Sequence, residues 1–185
     1  MPDKFFASPF KGFYIGQPIF NKIALMFTMP HIHLTTFMEA PVKRVFDLSR
    51  SISLHKLTMG LNKEKAIAGV TSGLINEGET VTWQAKHLFK TRIFCTKIVV
   101  MKSPESFIDE MIKGDFKSFT HAHHFKQVTN GTIMIDVVDF ESPYGIVGIF
   151  INKILLTKYM TKLLIKRNNL LKEYAESTKW KAILN

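Results

Sequence analysis

The last helical stretch of the chain limits what the rest can fold into. From Ile146 to Ala175 there is no proline, and no glycine after Gly148. Apolar residues recur there at gaps of three and four: Ile149/Phe150, Ile154, Leu155, Tyr159, Met160, Leu163, Leu164, Leu170, Leu171 and Tyr174. That spacing gathers most of them on one side of a helix of roughly thirty residues, on the order of 40 Å long. Such a rod needs an equally long apolar surface to lie on. The chain from Ala68 to Phe140 reads as strands and supplies one.

The earlier segments complete the pattern. His31 to Phe37 alternates, with Ile32 and Leu34 on one side and His31, His33 and Thr35 on the other, a period-two strand. Ala40-Pro41 opens a helix, because proline in a first turn loses no hydrogen bond. Val42, Val45, Phe46 and Leu48 form its inward stripe, and a second short helical turn or loop covers Ser51 to Leu57. Six strands follow: Ile67–Ile75, Thr80–Phe89, Arg92–Met101, Phe107–Lys113, Phe116–Val128 and Thr132–Phe140. Asn76 to Glu79, Lys90-Thr91 and Asn130-Gly131 mark turns between them. Links this short make antiparallel neighbours. The predicted fold is α+β, order β-α-α-β6-α, a seven-stranded curved antiparallel sheet gripping the C-terminal helix. A curled sheet closed by a helix often leaves a cavity between them.

Residues 31–178 are read as the domain, residues 1–30 as an aromatic-rich extension with no sustained periodicity, and residues 179–185 as a tail. The sequence leaves open whether translation starts at Met1, Met26 or Met29. With 185 residues the chain buries a full core without staples, and its single cysteine, Cys95, excludes an intrachain disulfide. No apolar run reaches the ~20 residues needed to span a membrane, so a cytoplasmic protein is expected. The formal net charge is +10. Residues 150–185 carry eight Lys/Arg against Glu173 and Glu176. Lys158, Lys162 and Lys166, four apart, form a ridge: a solvated outer face, or a contact with anionic membrane. No zinc finger, phosphate loop or aromatic RNA-binding signature accompanies the charge, so nucleic acid is not expected as a partner.

Several local signatures resemble the SRPBCC superfamily, the START-like or Bet v 1-like helix-grip proteins. They are Ala40-Pro-Val-Lys-Arg-Val-Phe-Asp47, Ala68-Gly-Val-Thr-Ser-Gly73, Gly78-Glu-Thr-Val-Thr-Trp-Gln-Ala-Lys-His87, Phe107-Ile-Asp-Glu-Met111, Gly114-Asp-Phe-Lys-Ser-Phe119, His121-Ala-His-His-Phe125 and Phe140-Glu-Ser-Pro-Tyr-Gly145. The resemblance covers about residues 31–177. It is closest to small bacterial SRPBCC proteins and more distant to polyketide cyclase/dehydrase and coenzyme-Q-binding START-like members. It implies a helix-grip fold around a ligand cavity. No catalytic residue is common to the superfamily, and none carries over.

Histidines are the most conspicuous candidates for chemistry. On a strand His121 and His123 share a face with Phe119 and Phe125, while His124 points the other way. A metal there would need a third ligand, nominally His87, Glu110 or Asp136; no metal or cofactor is expected. His87 shares a strand face with Trp83 and Ala85. His87, His121 and His123 are the weak candidates for a general base, with Glu110, Asp136 and Asp139 as orienters. Asp109-Glu110 reads more simply as facing solvent or hydrogen-bonding near a sheet edge. Cys95 reads as inert core, and Gly69 and Gly73 as mid-strand positions that let the sheet curl. The expected cavity lining is Phe46, Trp83, His87, Phe94, Phe119, His121, His123, Phe140, Phe150, Tyr159 and Met160.

The leading expectation is a non-enzymatic binder of a small hydrophobic molecule: a lipid, an isoprenoid or quinone, or an aromatic compound. A cyclase-, dehydratase- or hydrolase-type enzyme competes with it, and so does an interaction protein without a pocket. At least two of His87, His121 and His123 beside a carboxylate in one pocket would favour the enzyme. An apolar lining with isolated hydroxyls would favour the carrier.

Overall fold

The computed structural model describes residues 30–58, 64–87, 90–141 and 155–184. Strand β1 (His31–Met38) is followed by helices α1 (Val42–Ser49) and α2 (Ile52–Thr58). Six further strands are β2 (Lys65–Gly69), β3 (Thr80–His87), β4 (Lys90–Lys102), β5 (Ser106–Lys113), β6 (Ser118–Val128) and β7 (Gly131–Glu141). Helix α3 (Thr157–Glu176), a 3-10 turn (Thr178–Trp180) and the short α4 (Lys181–Leu184) complete the order. The strands form one antiparallel, curved sheet in the order β1-β7-β6-β5-β4-β3-β2. Consecutive hairpins build it from β2 to β7, and β1 returns to pair with β7.

The expected element order stands, with local differences. Strand β2 ends at Gly69 rather than Ile75. Gly69 has φ +72°, a Cβ there would sit 2.1 Å from the Thr80 carbonyl oxygen, and the Val70 amide donates to that same oxygen. Glycine here lets the chain leave the sheet instead of curling within it. Gly73 lies beyond the strand and has open space around its Cα. Strands β3 and β4 already pair at His87 and Lys90, so the reversal precedes the expected Lys90-Thr91. The extension 1–29, Phe150 and the upstream part of the predicted final helix lie outside the described residues. Residues 179–184, read as a tail, are docked: Trp180, Ile183 and Leu184 pack on the core, and Arg44 lies 4.5 Å over the Trp180 ring.

Helix α3 buries Leu164, Asn168, Leu171 and Ala175 at steps of four, three and four. That stripe faces β1 and the two short helices. Its C-terminal end is held by α1, where the Arg44 guanidinium donates to the Ala175 carbonyl oxygen at 2.9 Å, satisfying an otherwise orphaned acceptor. The main core lies on the α1 side, where Phe46 meets Phe107 and Phe125 edge-on at 5.7 and 5.4 Å. A second cluster gathers Ile32, Phe119, Val138, Phe140 and Leu164. Among the described residues no helix is long and apolar enough to cross a membrane.

Candidate functional site

Sheet and α3 do not meet everywhere. Between them lies a cavity of about 320 Å³, within the range that holds small organic ligands. Period-two alternation aims Val81, Trp83 and Ala85 of β3 into it, with Phe94, Thr96 and Ile98 of β4 beside them. The helix contributes Tyr159, Met160, Leu163 and Leu164. Arg92 and Asp115, paired with each other, also border it.

Of the expected lining residues, Trp83, Phe94, Phe119, His121, His123, Tyr159 and Met160 border the cavity. Phe46 and Phe140 do not. Both are fully buried: Phe46 in the Phe107/Phe125 cluster, Phe140 edge-on to Phe116. They fill core, because their strand or helix face turns to neighbouring side chains before it reaches the open space. His87 lies on β3, its side chain outside the described residues, and Phe150 is likewise outside them. His55, not singled out from sequence, borders the cavity with its ring 4.3 Å from that of Trp83.

One part of the wall is polar. The inward parity of β6 places Phe119, His121, His123 and Phe125 on the buried face and His124 outside. Strand β7 brings Asp136 beside them, and β5 brings Asp109 opposite His121. Asp109 therefore faces inward, against the solvent-facing or sheet-edge expectation, while Glu110 is exposed. Asp139 also points away and pairs with exposed His31 at 2.7 Å.

Asp136, with no exposed surface, is the hub. His121 Nε2 donates to its Oδ1 at 2.9 Å. His123 Nδ1 lies 2.8 Å from the same oxygen, close but not aligned for a hydrogen bond. Arg167 Nη1 donates to that oxygen at 3.2 Å, and Asn168 Nδ2 donates to Oδ2 at 2.6 Å. Asn168 Nδ2 also reaches Thr36 Oγ1, and Arg167 Nη2 donates to the Ser49 carbonyl oxygen. On its other side His123 Nε2 meets Asp109 Oδ2 at 3.3 Å, and Phe107 stacks on its ring at 4.1 Å. Arg167 and Asn168 thus tie α3 to β7 through the Asp136 carboxylate, to β1 through Thr36 and to α1 through the Ser49 carbonyl.

Burial alone would push both carboxyls up. At Asp136 the His121 hydrogen bond, the adjacent His123 and the Arg167 guanidinium outweigh it and hold the group well below its ordinary value. At Asp109 the hydrogen bond from His123, then the charges of His121, His123 and Arg167, outweigh burial and lower the group. His121 goes down to about 4, mainly through burial and then the charge of His123, against the pull of Asp136. In metal-free protein His121 titrates near 6.5 when unfolded and near 4 when folded, so the unfolded chain binds more protons between those values. Stability contributed by a neutral His121 is full above pH ~6.5 and falls by up to about 3 kcal/mol on acidification toward pH 4. Urea unfolding at pH 7 and pH 4.5 checks this: His121→Gln flattens that part of the profile.

No family model matches this chain, nor does any curated protein. Solved structures do resemble it. A Thermus thermophilus protein, TTHA0849, superposes with TM-score 0.64 at 17% identity, covering 79% of this chain and 97% of that one. Ginseng major latex-like protein 151 from Panax ginseng gives TM-score 0.60 at 14% identity, covering 80% and 97%. Ara h 8.0201 gives 0.59 at 11% identity, covering 80% and 98%. Identities this low speak to the frame alone. The sheet order, the gripped terminal helix and these likenesses agree that the chain has a helix-grip fold.

Proposed function

We propose that the cavity between sheet and α3 binds a small, mainly apolar molecule, its polar end toward His121 and Asp109. The observation that carries this is a space of about 320 Å³ walled largely by apolar side chains of both layers, with Asp109, His121 and His123 together on its sheet wall. Apolar area moved out of water supplies ~25 cal/mol per Å² before ordering costs. Lipid, isoprenoid or quinone, and aromatic guests all meet these requirements.

Ala85, buried on the cavity wall, gives a direct test. With 1-aminoanthracene as the fluorescent probe, the parent chain is expected to bind one equivalent, and Ala85→Leu to bind at least about tenfold more weakly with near-ultraviolet circular dichroism unchanged. Equal binding by both proteins would overturn the reading.

Two histidines in one pocket with Asp109, and with the buried Asp136 behind them, favour a second reading, an acid–base enzyme. The low proton affinity of His121 weighs against it: a base with pKa about 4 holds little driving force for proton abstraction near neutrality. Turnover of an unsaturated ring substrate that disappears in His121→Gln but survives in Ser53→Ala would select the enzyme.

The outer side of α3 suggests how an apolar guest arrives. Lys158, Lys162 and Lys166 are exposed, as are Leu155 at 66% and Ile165 at 42%, while Leu156, Tyr159 and Met160 of the same turns border the cavity. We take this face to dock on anionic bilayer. Near such a surface each lysine is worth about 1 kcal/mol. Replacing all three by glutamine is therefore expected to weaken binding to phosphatidylserine vesicles on the order of a hundredfold at low salt, and less at high salt. Unchanged vesicle binding discards the docking face.

A further inference from the structure

The cluster at the polar end contains an electrostatic conflict that apolar binding leaves unexplained. Asp109 and Asp136 stand against one permanent cation, Arg167, with His123 between them, so with His123 neutral the group carries one uncompensated negative charge. Carboxylates accept only, so His121 in its neutral form carries its proton on Nε2, toward Asp136, and its Nδ1 is an unprotonated acceptor. Nδ1 has no hydrogen-bond partner among the described residues. His123 lies between two carboxylates, Nδ1 at 2.8 Å from Asp136 and Nε2 at 3.3 Å from Asp109. In its neutral, one-proton form the ring aims a lone pair at one of them. Its Nδ1 is buried and unbonded.

We propose that Asp109, His121 and His123 form a site for a divalent transition-metal ion, Zn²⁺ or Fe²⁺ in class. A cation between His123 Nε2 and Asp109 converts a lone-pair repulsion into shared ligation and offsets the excess negative charge. His121 supplies the third donor. One donor atom from each of the three residues lies within 4.8 Å of the other two. Donors around a tetrahedral ion stand ~3.4 Å apart, so side-chain rotations of about an ångström close the set. Asp136 then serves as the outer partner of both imidazoles, the arrangement that fixes the tautomer and orientation of metal-bound histidine. Two imidazoles and one carboxylate leave coordination positions open, and the cavity lies on that side. An oxygen-bearing guest would complete them. The site adds to the apolar-binding reading without depending on it, since metal can be titrated with no guest present.

Co²⁺ provides a visible reporter. Chelator-treated full-length protein is expected to retain one Co²⁺ per chain in equilibrium dialysis and to develop a d–d absorption band. Asp109→Asn, at a side chain 17% exposed and thus tolerant of an isosteric change, should weaken retention at least about tenfold with circular dichroism unchanged. His121→Asn should do the same. His31→Asn/His33→Asn, which removes the exposed histidines of β1, should leave both readouts intact. Absence of stoichiometric Co²⁺, parent-like retention by Asp109→Asn, or loss of the band in the β1 double variant would each overturn the site. Failure of 1-aminoanthracene binding bears on the cavity reading and leaves these readouts untouched.

Discussion

Asp136→Ala is expected to lose about 3–5 kcal/mol of unfolding free energy in urea at pH 7, the largest polar effect in the chain. The truncation strips the partner from Arg167, whose side chain is 9% exposed. It also removes the acceptor of the His121 Nε2 and Asn168 Nδ2 hydrogen bonds. A guanidinium left buried without its carboxylate carries most of the cost, since desolvation is no longer offset by attraction. Asp139, three residues along the same strand and so on its other face, is the control. Its pair with His31 is solvent-exposed on both sides, so Asp139→Ala should change stability by no more than ~0.5 kcal/mol. Similar losses for the two variants would mean that Asp136 does not organise the helix–sheet junction.

Phe46→Ala should cost about 3–5 kcal/mol, by lost transfer energy and the hole left behind. The ring is fully buried and meets Phe107 and Phe125 edge-on. Because Phe46 fills solid core and does not border the cavity, 1-aminoanthracene affinity at a temperature where the variant stays folded should change little. Thermal or urea unfolding gives the first readout and a probe titration the second. A stability loss under ~1 kcal/mol would place Phe46 outside the core.

The frame was legible because its signals are periodic. Period-two runs and tight turns located all seven strands, and gaps of three and four located α3 and α1. The misjudged positions are those where a contact distant in sequence decides. Gly69 ends β2 because of the Thr80 carbonyl, and nothing local to Gly69 announces that oxygen. Phe46 and Phe140 are as apolar as Trp83 and Phe119; only the shape of the space between the layers separates core from lining. Asp109 reads as facing solvent or bonded near a sheet edge, although Phe107, two residues before it on the same strand, is buried and shares its parity. Strand alternation alone would have turned Asp109 inward.

Arg167 and Asn168 left a readable trace as well. The apolar stripe of α3 passes from Leu164 to Leu171, and the intervening step is filled by Arg167-Asn168. Two polar residues at a buried step of an amphipathic helix call for buried partners. Asp136, on the inward parity of β7 between Met134 and Val138, is the carboxylate that answers them.

Methyl NMR tests the central claim most directly. With 1-aminoanthracene bound to methyl-labelled protein, intermolecular nuclear Overhauser effects should connect the probe to Ile98 on the sheet and to Met160 and Leu164 on the helix, all of which border the cavity. Effects confined to the outward-facing Leu155 and Ile165 methyls, or none at all with saturating probe, would show that no guest enters between the layers.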